Sequence, residues 1–151
     1  MEMSVPKSRR KDASAQFIAD ARELRIKTMR MMKRMPSSYR YIFTNDILKL
    51  AADIYVNCIR GNAVFMHKAM LPKDYELRRY YLMQAYTSCD ALNAEISFCY
   101  SVIMEGENVF KTSKDRDNRF EAWTDIGMRT KDRIRSLLKS DRERYNTYQK
   151  S

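Results

Sequence analysis

A single histidine, His67, and three cysteines, Cys58, Cys89 and Cys99, bound the catalytic chemistry open to this chain. A lone imidazole makes no His-based triad and no His-rich metal set. The cysteines form no CxxC pair of the kind that grips zinc. There is no glycine-rich phosphate loop and no serine in a nucleophile elbow. Glu105 and Glu107 lie close together, but at an expected helix end where solvation is the default. The Glu-x-x-His spacing of di-metal carboxylate bundles is missing as well. These absences point away from an enzyme and imply no metal and no cofactor.

What the residues do support is electrostatic chemistry. Lysine and arginine number 29 against 19 acidic residues, a net charge of +10. Lys27, Arg30 and Arg34 step by three and four, with Arg22, Arg25 and Lys33 beside them. Lys131, Arg135, Lys139 and Arg142 repeat the step, flanked by Arg129 and Arg133. Cations at helical spacing suit a phosphate backbone, because each neutralised phosphate releases counterions. Such contacts position a nucleic acid without reading its bases. A solvated face, or a scaffold docking on an acidic protein surface without nucleic acid, is the alternative.

The elements that must carry these cations are helices. Glycine and proline number 3 each, too few for the turns of a β-sandwich or a doubly wound α/β domain. Phe17, Ala21, Leu24, Thr28, Met31 and Met35 lie on one helical face, predicting a first helix over residues 12–35 that Pro36 stops. A second is predicted over 39–70, with Phe43, Ile47, Leu50, Ile54, Asn57 or Cys58, Gly61 and Phe65 inward. Gly61 is read as a point of close helix approach or a bend. Pro72 should end that segment and Asp74 cap a third helix over 75–105, with Leu77, Tyr81, Ala85, Ser88, Leu92, Ile96, Cys99 and Ile103 as its stripe. Residues 107–118 read as the longest loop. A fourth helix follows over 119–144, lined by Phe120, Trp123, Gly127, Thr130, Ile134 and Leu137.

The expected fold is an all-α, antiparallel up-down-up-down four-helix bundle over residues 12–144. A flexible basic tail over 1–11 should precede it, and a frayed tail over 145–151 follow. Residues 75–110 hold 2 basic and 5 acidic residues, so the third helix is acidic while the first and last are basic. In such a bundle the first and last helices are neighbours, so their outward faces are expected to merge into one positive surface. The methionines of helix 1 read as core filler, with an adaptable partner groove as the alternative. More tyrosines lie on the helices than one narrow stripe uses, which suggests a second buried face and self-association.

Cysteines in apolar helical stretches imply a reducing, cytoplasmic setting. No apolar region follows Lys7, Arg9, Arg10 and Lys11 to make a signal peptide, and no run approaches the roughly 20 residues of a membrane span.

Residues 35–41 (Met-Pro-Ser-Ser-Tyr-Arg-Tyr) and 51–61 (Ala-Ala-Asp-Ile-Tyr-Val-Asn-Cys-Ile-Arg-Gly) carry a resemblance. They resemble the four-helix-bundle family of the rRNA intervening-sequence type, with its proline turn before helix 2 and an Asn-Ile-Ala-Glu-Gly-like run late in it. Asn57 and Gly61 match, while Arg60 stands where glutamate is usual. The basic composition is most similar to the accessory variability determinant (Avd) proteins of diversity-generating retroelements. That resemblance, diffuse over residues 15–140, implies a homopentamer. It also implies a reverse transcriptase and RNA or DNA as partners, and a role in mutagenic cDNA synthesis.

Overall fold

The computed structural model describes residues 13–106 and 110–150; the expected basic tail, residues 1–11, lies outside them. Four helices follow in order: α1 (Ala13–Arg34), α2 (Ser37–Asn62), α3 (Pro72–Glu105) and α4 (Ser113–Lys150). No strand occurs among the described residues. Each helix packs on its chain neighbours, and α4 closes the square against α1. Among the described residues no Cα atoms of the diagonal pairs, α1 with α3 and α2 with α4, come within 8 Å of each other. Phe43 near the start of α2 meets Phe98 late in α3, and Tyr75 at the start of α3 stacks on Tyr145 late in α4. These pairings make successive helices antiparallel. The all-α four-helix bundle read from the sequence is therefore the fold.

The core follows the apolar spacing. All six residues of the α1 stripe are buried, from Phe17 to Met35. Met31, Met32 and Met35 fill the core while Met29 stays half-exposed, so core filling accounts for three of the four methionines. Trp123 is fully buried at the centre. Its indole N–H donates to Thr28 Oγ1 at 2.9 Å, and that hydroxyl donates to the Leu24 carbonyl at 2.7 Å. Burying both polar groups with partners avoids the cost of leaving them unmet.

Helix ends depart from expectation for local reasons. α2 stops at Asn62 instead of running to Met70, and Phe65, expected inside, is 78% exposed. The Arg78 guanidinium lies across this end: Nη1 donates to the carbonyls of Gly61 (3.3 Å) and Val64 (2.9 Å). It thereby gives the Val64 carbonyl a partner and adds a second donor to the Gly61 carbonyl, which already accepts the Val64 N–H at 3.2 Å. Pro72 opens α3 in its first turn, where its missing N–H costs nothing, and Leu71 holds the cap position in place of Asp74. The α3 stripe runs through Arg78 and Leu82, leaving Leu77 outside. α4 begins at Ser113, six residues before the expected start, because Thr112 Oγ1 accepts the Asp115 N–H at 2.9 Å as a cap. At its far end α4 continues through Lys150, past the point expected to fray, with the Tyr75–Tyr145 stack at 4.1 Å holding that turn.

Gly61 marks the close approach read from the sequence: a Cβ there would stand 2.8 Å from Leu82 Cδ2. Beside it lies the most buried ion pair among the described residues. Arg78 (4% exposed) donates from Nε to Asp141 Oδ2 at 2.6 Å and from Nη2 to Oδ1 at 3.2 Å, and Asp141 is 2% exposed. Arg144 adds a third donor to Asp141 at 3.3 Å. Removing one side of such a pair leaves the other charge buried and unmatched, at a cost of about 3–5 kcal/mol. Arg78→Met or Asp141→Leu should therefore lower the melting temperature by roughly 10 °C. The double variant should cost less than the sum of the two, measured by thermal denaturation followed by circular dichroism.

Cys58, Cys89 and Cys99 are free thiols with no exposed surface. Burial pushes all three up, Cys89 and Cys99 from near 9 to about 12. In the native protein they should react with a thiol reagent at pH 8 on the order of a hundredfold more slowly than in denaturant. The unfolded chain loses these protons first. The stabilisation is thus complete below pH 9 and is lost as pH rises from about 9 toward 12, checked by urea unfolding at stepped pH.

Candidate nucleic-acid interface

The cations of α1 concentrate in its second half. Residues 24–35 carry Arg25, Lys27, Arg30, Lys33 and Arg34 and no acidic residue. With the apolar stripe turned inward, they line the flanks and outer side of the helix. Lys33 and Arg34 in the last turn also oppose the partial negative charge of the helix C-terminus.

The register of α1 on α4 decides which α4 residues they meet. Thr28 contacts Trp123, Glu23 pairs with Arg129, and Asp20 pairs with Arg133. Residues late in α1 therefore stand beside the beginning of α4. Lys27, Arg30 and Arg34 line a groove of about 340 Å³ together with Asp115, Asn118, Arg119 and Ala122. Met31 forms part of its wall. Arg119 is held by Asp115 at 2.9 Å. Lys27, Arg30 and Arg34 have no ion pair among the described residues, and Asn118 adds an amide to the same opening.

The single merged positive flank expected from the sequence is divided. α1 and α4 are neighbours, but their cationic halves point to opposite ends of the bundle. Lys139 and Arg142 are exposed about 30 Å along α4 from Arg119, at 1.5 Å per residue. Between the two ends, acidic residues of α1 claim the α4 arginines. Arg129 lies 2.8 Å from Glu23 and 3.6 Å from Asp20. Arg133 pairs with the buried Asp20, which also accepts from Gln16 at 3.1 Å.

Other members face elsewhere. Lys131 turns to α3, with Nζ 2.6 Å from Asp90 and 5.6 Å from the Tyr86 ring centroid. The Asp90 hydrogen bond holds its ammonium charged, pushing its pKa up. Arg25 lies 5.6 Å over the Tyr55 ring on α2. Arg135 pairs with Asp132 on its own helix at 2.7 Å. Arg22 and Lys33 are exposed on α1 outside the groove. The groove thus retains three of the expected residues and gains Arg119 and Asn118. Arg60, the departure from the family pattern, is exposed and sits 5.8 Å over the Tyr81 ring.

His67 is exposed, and no cluster of three or more His, Cys, Asp or Glu side chains able to hold a metal occurs among the described residues. No described helix is long and apolar enough to cross a membrane. No family model matches the chain, and neither a curated protein nor a solved structure matches it significantly. The resemblance carried by residues 35–41 and 51–61 rests on those residues alone.

Proposed function

We propose that this chain is a non-catalytic, homo-oligomeric accessory protein that binds nucleic acid through the α1–α4 groove and serves a reverse transcriptase of a diversity-generating retroelement in mutagenic cDNA synthesis. One observation carries the nucleic-acid reading. Lys27, Arg30 and Arg34, without ion pairs among the described residues, line one open groove in a half-helix that has no acidic residue. Lys27 and Arg34 are seven residues apart, about 10 Å along the helix. That span accommodates two or three successive phosphates of a strand. The cations contact backbone, so the binding is broad in sequence and steep in salt. The retroelement setting, with its reverse-transcriptase partner and five-fold assembly, is supported by the resemblance at residues 35–41 and 51–61.

Fluorescence anisotropy of labelled RNA and DNA across a salt series tests the reading. Reversal of the groove charges in Lys27→Glu/Arg30→Glu/Arg34→Glu should weaken binding by tenfold or more at about 0.1 M salt and flatten the log–log salt slope by about 2–3. Lys139→Glu/Arg142→Glu, at the far end of α4, should have a smaller effect. Absence of binding by the native protein at low salt, or equal losses at both ends, defeats the assignment.

A further inference from the structure

The outward face of α3 carries a surface unlike any other on the molecule. Of the fifteen exposed side chains of α3, four are charged: Lys73, Glu76 and Glu105 near its ends, and Asp90, which is paired with Lys131. On α4 thirteen of the twenty-two exposed side chains are charged. Along the α3 face, Tyr80, Gln84, Thr87, Ala91, Ala94 and Phe98 recur at alternating spacings of four and three, so they form one stripe. Tyr80 and Phe98 are each 56% exposed at its two ends. Thr87, Ala91 and Ala94 keep its middle small.

We propose that this stripe is the surface on which a second copy of the chain packs. The small middle lets another helix approach to about 8–10 Å between axes, while the bulky ends fill the space where crossing helices diverge. Charge selects the occupant. Each copy carries +10, and self-contact through the acid-free second half of α1 would set cation against cation. The α3 face lets two copies meet without like charges opposed, whereas an acidic partner would gain more on α1 or α4. On the flank of α2 that faces α3, Ile42 extends the surface, the Lys49–Asp53 pair at 2.9 Å is already neutral, and the exposed Arg60 is drawn over the Tyr81 ring. The stripe from Leu77 to Ser101, about 36 Å long at 1.5 Å per residue, with two helices about 10 Å apart, spans on the order of 700 Å². Stable interfaces bury about 600–1,000 Å² per partner, a range that includes this area.

This assignment rests on the homo-oligomeric part of the proposed function, in whose five-fold ring the stripe of one copy would meet a different face of the next, and it is tested separately from that function. Light scattering after gel filtration would be run on the native protein and on Ala91→Arg and Ala94→Arg, both at exposed helix positions, with circular dichroism confirming unchanged helicity. The native protein should assemble at micromolar concentration. Each variant should run at or near the 18.0 kDa monomer, with the assembly constant weakened roughly a hundredfold. A folded variant that keeps the native mass overturns the α3 surface while leaving self-association standing. A monomeric native protein overturns both, and nucleic-acid anisotropy on the same samples reports independently on the groove.

Discussion

One buried guanidinium sets the geometry of half the bundle. Arg78 sits on α3, donates two hydrogen bonds to Asp141 of α4, and donates two more to the carbonyls that end α2. Three helices are thus joined through a group with five N–H donors in a fixed plane, a geometry that a lysine ammonium would not reproduce. Bringing both charges out of water costs several kcal/mol each, and that cost is offset because the carboxylate and the carbonyls lie where the fork points. Elongating α2 would withdraw the carbonyls, and sliding α4 by one turn would withdraw Asp141. The pair therefore acts less as a source of stability than as a register mark, which a purely apolar seam would leave loose.

Register, in turn, governs where the charge goes. Antiparallel neighbours bring the end of one helix beside the start of the next. The acid-free half of α1 consequently lies beside the opening turns of α4, not beside the Lys139 and Arg142 region. Asp20 and Glu23, in the earlier half of α1, reach Arg133 and Arg129. A net charge summed per helix hides this, because the sum has no direction along the axis. The electrostatic surface follows from packing: the same residues in parallel helices would have formed the single flank that helix-by-helix charge suggests.

The parts of the fold legible in the sequence were those written in periodicity. The α1 stripe is buried throughout, and the number of helices and their cyclic neighbours follow from few glycines and prolines. What escaped was written in polar residues acting at a distance. Arg78 looks like a surface cation until Asp141, 63 residues away, is placed against it. Arg78, not Leu77, lies on the buried α3 stripe, and its Nη1 reaches the carbonyls where α2 ends. Pro72 permitted either a stop or a first turn. For the groove, Arg119 is hidden because the periodicity starts α4 at that residue; the Thr112 cap starts the helix earlier and brings Arg119 into its second turn. Pairing each late α1 residue with an early α4 residue would have found it.

The square arrangement also separates two demands that would conflict on one surface. A strongly basic chain that assembles must bring copies together without letting their cations repel, and a polyanion site must stay uncovered after assembly. α1 and α3 are diagonal, with no Cα atoms within 8 Å of each other among the described residues. The uncharged α3 stripe and the Lys27–Arg30–Arg34 groove therefore face away from each other. Packing through α3 leaves the groove of every copy turned outward, where the cations lie far enough apart for salt to screen them across a Debye length of about 8 Å. The opposite assignment, copies meeting through α1 and phosphates held by α3, would place cation against cation inside the assembly and present phosphates with a surface whose one exposed charge between Leu77 and Met104 is an aspartate.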